Sequence, residues 1–201
     1  MKRKPYSAVT VRKLFWFLEF RKLIQLLADG MSLDEIKKLN QEQNLFTAAS
    51  AARGRDMFNA LASRIKDLDP SFYPLFLSSD LAGQKLLALV ATMADDTLFF
   101  DFINDVIKEK LIIGSTSLTA SEIRIFFKDK AQQEEQVAKW TSETTVKLGT
   151  VYARMLYEAG ILEPKSSQEW QILTPIVSPE IQDWLKEQDL GICLDALTGV
   201  R

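Results

Sequence analysis

Residues 161–173 read Ile-Leu-Glu-Pro-Lys-Ser-Ser-Gln-Glu-Trp-Gln-Ile-Leu. Two β-compatible pieces, Ile161-Leu162-Glu163 and Trp170-Gln171-Ile172-Leu173, flank a polar link from Pro164 to Glu169, a pattern that predicts a hairpin. What lies before it gives the hairpin its meaning. Thr141 or Ser142 caps a helix reaching Ala159, with Leu148, Val151, Tyr152 and Met155 inward and Lys147, Thr150 and Arg154 outward. Gly160 stops that helix. Upstream, Thr119 and Glu122 form a capping box, with Leu118 and Ile123 as a hydrophobic staple, for a helix ending near Gln132. The β-compatible run Leu111 to Ile113 is the expected third strand. Strand, helix, helix and hairpin in that order predict a winged helix-turn-helix. Ser178 and Pro179 open a last helix through Leu185, suited to the back of this module.

Working toward the N-terminus, Thr97 to Lys110 and Leu81 to Ala94 read as helices parted by Asp95-Asp96. The aromatics of the later one, Phe99 and Phe102 among them, sit at helical spacing and are expected to pack rather than to stack on bases. Asp69-Pro70 and Tyr73-Pro74 break the pattern before that. The first part opens with a buried helix from Val11 to Ala28, stopped by Gly30. Ser32 with Glu35 is a second capping box and starts a short helix to about Gln41. Thr47 then caps a third helix to about Leu68, with Phe58, Leu61 and Ile65 on one side and Arg55, Asn59 and Lys66 on the other. A long helix, a sharp turn, a short helix and a basic third helix are the parts of a helix-turn-helix. The fold expected is therefore mainly α. It comprises a helix-turn-helix module over 1–70, a connecting helical segment over 71–96, and a winged-helix module with a short β-hairpin wing over 97–201.

Composition removes most chemistry. No histidine is present, which excludes Ser-His-Asp and Cys-His triads and His-ligated zinc or haem. The single Cys193 lies among apolar neighbours and makes neither an internal disulfide nor a zinc knuckle. The phosphate-loop, dinucleotide and metalloprotease motifs are missing. The pairs Asp95-Asp96 and Asp101/Asp105 offer carboxylates for Mg²⁺, but such spacing on a helix usually marks a solvated face. No enzyme, cofactor or metal is expected. The longest apolar run, Leu86 to Ala94, spans nine residues against the roughly 20 a membrane helix needs, and charges interrupt the signal-like N-terminus. The chain reads as cytoplasmic, with no membrane partner.

A net charge of −2 conceals an asymmetry. Residues 1–66 carry 13 Lys/Arg and 6 Asp/Glu, whereas the remainder carries 12 and 21. A basic first third favours a polyanion partner.

Several ordered stretches also resemble a known family. They are Tyr6-Ser7-Ala8, DFINDVIKEK at 101–110, LTASE at 118–122, KAQQEEQVAKWTSETTVKL at 130–148 and EAGIL at 158–162. Together, over about residues 6 to 187, they resemble BrxA, the small accessory protein of bacterial BREX phage-exclusion systems. The resemblance implies a non-enzymatic, double-stranded-DNA-binding protein that works beside other BREX subunits in phage defence. Helix faces then nominate the phosphate contacts. They are the arm Lys2, Arg3 and Lys4, then Lys37 and Lys38 on the second helix, and Arg53, Arg55, Arg64 and Lys66 on the third. Ser142, Thr145, Lys147 and the wing's Lys165 are the candidates of the second module. The rival reading is a protein-interaction adaptor that docks partner subunits; RNA binding is disfavoured, since no aromatic-rich sheet or Arg/Gly tract is evident.

Overall fold

The structure, a computed structural model, describes residues 2–200. Within them the chain is mainly helical, with one small three-stranded antiparallel sheet. A 3-10 turn over Ala8–Arg12 leads to α1 (Phe17–Ala28), α2 (Leu33–Gln43) and α3 (Ala51–Ile65). The turn between α1 and α2 forms as the sequence implies. Gly30 takes a φ of 93°, open to glycine without strain, and Ser32 and Glu35 complete the capping box.

Two expectations for this region are corrected. The helix foreseen from Val11 starts only at Phe17, after Trp16 in the left-handed region at φ 50°. Its physical reason lies on α3. The Arg64 guanidinium donates to the carbonyls of Leu14 and Phe15, each at 2.7 Å, holding both out of a helical ladder. The cap of α3 is Ser50, which accepts from the Arg53 N–H, while Thr47 sits in the preceding loop at φ 49°.

Next come α4 (Phe72–Ser78), α5 (Leu81–Asp95) and α6 (Thr97–Phe102). Pro74 falls in the first turn of α4, where a missing N–H is harmless, so the proline-rich stretch still forms one short helix. Asp80 caps α5 and Asp96 caps α6. After α6 the chain passes through a π-helical turn, Ile103–Lys108, into α7 (Glu109–Ile112). The run Leu111 to Ile113 thus closes a helix instead of forming a strand. Gly114, at φ 75°, lets the N–H groups of Gly114 and Ser115 cap the carbonyls of Leu111 and Lys110.

The strand instead is β1 (Ser117–Thr119), followed by α8 (Ala120–Gln133), α9 (Glu135–Ala138) and α10 (Ser142–Glu158). The capping box of Thr119 and Glu122 is present, and Thr141 caps α10. The hairpin has strands β2 (Leu162–Ser166), longer than the sequence suggested because Pro164 is admitted on an edge strand, and β3 (Glu169–Ile172), of the expected length but one residue earlier. Spatial order is β1-β3-β2, with Leu118 opposite Trp170 and Leu162 opposite Ile172. The chain ends in α11 (Pro179–Glu187) and α12 (Gly191–Thr198).

Buried apolar residues form one continuous cluster from Phe15 to Leu197. Phe99, Phe102 and Phe127 surround Tyr152 at one end, while Phe20, Phe72 and Phe76 pack together at the other. The aromatics of α6 are therefore core, as their spacing predicts. α11 does not stay with the hairpin but returns to the first half of the chain. Trp184 packs on Phe72 and donates its indole N–H to Ser71 Oγ at 2.8 Å.

Candidate nucleic-acid interface

The N-terminal arm is where charge first finds a partner, and the partner is internal. Arg3 holds Asp101 through two hydrogen bonds at 3.0 and 2.8 Å, and Tyr6 donates its hydroxyl to the same carboxylate at 2.5 Å. Lys4 pairs with Asp95 at 2.9 Å and with Asp67 at 3.1 Å, while its backbone N–H donates to Thr97 Oγ1. Thr10 donates to Asp96 Oδ2 at 2.5 Å, and Lys130 completes the cluster by pairing with Asp101 and Asp105. Burial alone would raise the Asp101 carboxyl. The Arg3 and Tyr6 hydrogen bonds and the charges of Lys130 and Arg3 outweigh it and hold the group below its usual range. For Asp96, which has Thr10 but no ion-paired cation on its carboxylate among the described residues, desolvation wins and the carboxyl is raised. The carboxylates considered above as Mg²⁺ ligands are thus the seat of the arm. Of the three arm cations, Lys2 alone makes no ion pair among the described residues.

On α3 the four nominated cations divide. Arg64 is 3% exposed, with its guanidinium on two carbonyls, and burial brings it down to about 10. It cannot touch a phosphate, so its place among the phosphate contacts is withdrawn: the flank it occupies faces the Leu14–Trp16 break. Arg53 is half-buried, donating to the Arg12 carbonyl and lying over the Trp16 ring at 4.8 Å. It steadies the left-handed Trp16. Arg55 and Lys66 are exposed and make no ion pair among the described residues. Eleven positions apart, they share one side of the helix about 16 Å from each other. On α2, Lys37 is exposed and makes no ion pair among the described residues, while Lys38 sits 3.9 Å from Glu42.

In the second half, Ser142 is exposed at the start of α10, and the Thr145 hydroxyl is half-buried, donating to the Ser142 carbonyl at 2.9 Å. Lys147 is held by Glu143 one turn earlier at 2.7 Å. Lys165 is exposed on the hairpin, in a run from Glu163 to Gln168 that is exposed throughout. The structure therefore divides the nominated cations among the arm against its carboxylates, the α2–α3 pair, where Arg53 and Arg64 turn inward, and the α10–hairpin unit.

Two cations escaped the sequence reading. Arg124 and Lys128 stand one turn apart on the outside of α8, exposed and without an ion pair among the described residues. The signal was there, since Ile123 and Phe127 beside them define the buried face. Both line a cleft of about 820 Å³ formed by α8, α9, α10 and the hairpin.

The comparisons with known proteins bear on the whole chain. The family model described as BrxA matches residues 4–189. A protein of Bacillus cereus (strain H3081.97), described as "BREX protein BrxA", is 32% identical over 199 residues, covering 99% of each chain. The crystal structure of an uncharacterized protein from Magnetospirillum magneticum superposes with a TM-score of 0.77. It covers 98% of this chain and 100% of its own at 16% identity, a likeness of fold alone.

Proposed function

We propose that this chain, which belongs to the BrxA family, serves in the cytoplasm as a non-enzymatic binder of double-stranded DNA within a BREX phage-defence system. In this reading α2 and α3 form a helix-turn-helix, and β1, α8, α10 and the β2–β3 hairpin form a winged helix. The strand order β1-β3-β2, with helices preceding an exposed hairpin, supports the second assignment.

The observation that carries the reading is the contrast in how cations are used. Arg3, Lys4, Arg53 and Arg64 have partners inside the fold, whereas Lys37, Arg55, Lys66 and Lys165 stand exposed with no carboxylate within ion-pair distance among the described residues. Unpaired exposed cations on helix faces and a wing tip are what phosphates engage, and phosphate contacts position a protein without reading sequence. Other BREX subunits are further partners in this proposal.

The test is fluorescence anisotropy of a labelled duplex titrated at several salt concentrations. With about four phosphates neutralised, log affinity should fall against log salt with a slope of roughly −4. Absence of binding at low salt, or an affinity indifferent to salt, would overturn the reading.

A further inference from the structure

The cleft beside α10 has properties that phosphate binding does not use. Its long walls are α8, contributing Ile123 and Phe127, and α10, contributing Val146, Gly149, Ala153 and Tyr157. The two helices approach closely at Gly149, where an added Cβ would stand 2.6 Å from Ile123 Cγ2. One end is closed by the hairpin through Pro164 and Trp170, the other by Val137 and Trp140 around α9. Small residues on α10 leave its surface open, and two large apolar side chains stay in solvent: Val146 at 55% and Tyr157 at 53% exposure. Partly buried tryptophans beside open apolar surface are the residues that anchor protein interfaces.

The charged residues that line the cleft are Arg124, Lys128 and Arg154, with no Asp or Glu lining it among the described residues. Arg154 is held by Glu158, but Arg124 and Lys128 are a like-charge pair at i, i+4, an arrangement that weakens a helix unless an anion arrives. From Ser142 to Tyr157 the lining of α10 runs about 22 Å, the length of four helical turns. A duplex is far too wide for a cleft of this size, and its sugars and phosphates would gain nothing from the apolar walls.

We propose that this cleft seats one helix of a partner protein, about four turns long, whose apolar stripe packs along the groove between α8 and α10 and whose flanking carboxylates meet Arg124 and Lys128. Of the cations the DNA reading relies on, Lys37, Arg55 and Lys66 belong to α2 and α3 and do not line the cleft, whereas Lys165 stands on the hairpin between the lining residues Pro164 and Ser167, so duplex and peptide binding are measured on the same variants.

The probe is a fluorescein-labelled synthetic helix of about 18 residues, with leucines at i, i+3, i+4 and i+7 and glutamates flanking them. Two control peptides accompany it, a scramble of the same composition and a version with lysine for every glutamate. The acidic amphipathic peptide should bind saturably and at least about tenfold more tightly than either control. Thr150→Trp, at an exposed position on the cleft, and Arg124→Glu with Lys128→Glu should each weaken it about tenfold while circular dichroism stays unchanged. Arg55→Glu with Lys66→Glu should leave peptide affinity as it was. Several results would overturn the proposal: no binding of the acidic peptide, equal binding of the scramble, or indifference to both cleft variants. So would a loss of duplex binding in Thr150→Trp with peptide binding intact, which would give the cleft to nucleic acid. A dimer dissociated by Thr150→Trp would give it to a second copy of the chain.

Discussion

Arg3 and Asp101 stand 98 residues apart in the chain and meet through a two-pronged ion pair, Nη1 to Oδ1 at 3.0 Å and Nη2 to Oδ2 at 2.8 Å. The contact changes the meaning of the charge asymmetry. Part of the positive excess in the first third is neutralised by carboxylates of the centre, so fewer cations face outward than the count by region implies. The arm acts as a strap across the joint between α5 and α6.

Stability should register that strap. Asp101 has a side chain 6% exposed, and Asp101→Asn leaves Arg3 without its carboxylate and Lys130 with Asp105 alone, at a cost of about 1–3 kcal/mol near neutral pH. The sign follows from the depressed carboxyl: its contribution is present above the ordinary carboxylate value of about 3.9 and is lost as pH falls through the lower folded value. Urea denaturation at a series of pH values should therefore show parent and variant converging in acid. A gap that widens toward low pH would contradict the assignment.

Arg64 is expected to behave as a structural residue. Arg64→Met leaves the Leu14 and Phe15 carbonyls without their buried donor and should cost about 3 kcal/mol, while duplex affinity of the folded protein is unchanged. Chemical denaturation gives the first quantity and anisotropy the second. A stable variant with weakened DNA binding would return Arg64 to the interface.

For the outer side of α3 the expectation is the reverse. Arg55→Glu with Lys66→Glu touches no packed group, so folding should survive, whereas the salt slope should flatten by about 2 units and all duplexes should weaken alike. A folded double variant binding DNA as well as the parent would remove this helix from the interface and point to Lys147 and Lys165.

Gly149 tests how tightly the cleft walls are joined. Gly149→Ala places a Cβ against Ile123 Cγ2 and should cost about 1–3 kcal/mol by overpacking. In a double-mutant cycle, Ile123→Ala should relieve part of that cost, giving a coupling of about 0.5 kcal/mol or more in thermal melts. Strict additivity would mean that the two residues do not press on each other.

Features made by neighbours in sequence were legible. The capping boxes at Ser32 and Thr119, the caps at Thr141 and Ser178, the stop at Gly30 and the hairpin after α10 all involve groups a few residues apart, so their residue types announce them. The strand was misplaced because Leu111 to Ile113 has a strand's composition. Its conformation is set by Gly114 closing a helix behind it. The helix expected from Val11 failed for a similar reason, since Arg64, about fifty residues later, takes the carbonyls its next turn needs.

By itself, then, the sequence determined a mainly helical chain, the bounds of α2, α5, α8, α10 and α11 to within two residues and the place of its hairpin, because a helix end is a contest among adjacent backbone groups; α4, α9 and α12 it left unforeseen. Only the tertiary structure decided which cations reach solvent. Arg55 and Arg64 differ little as residues on an amphipathic helix, and Lys4 looks as available as Lys37. A long flexible cation goes where the folded chain presents an acceptor, and Asp95, Asp101 and the Leu14 and Phe15 carbonyls are brought to Lys4, Arg3 and Arg64 only when distant segments pack. The cleft has the same origin. Its walls come from three helices and a hairpin whose meeting no single stretch of sequence encodes.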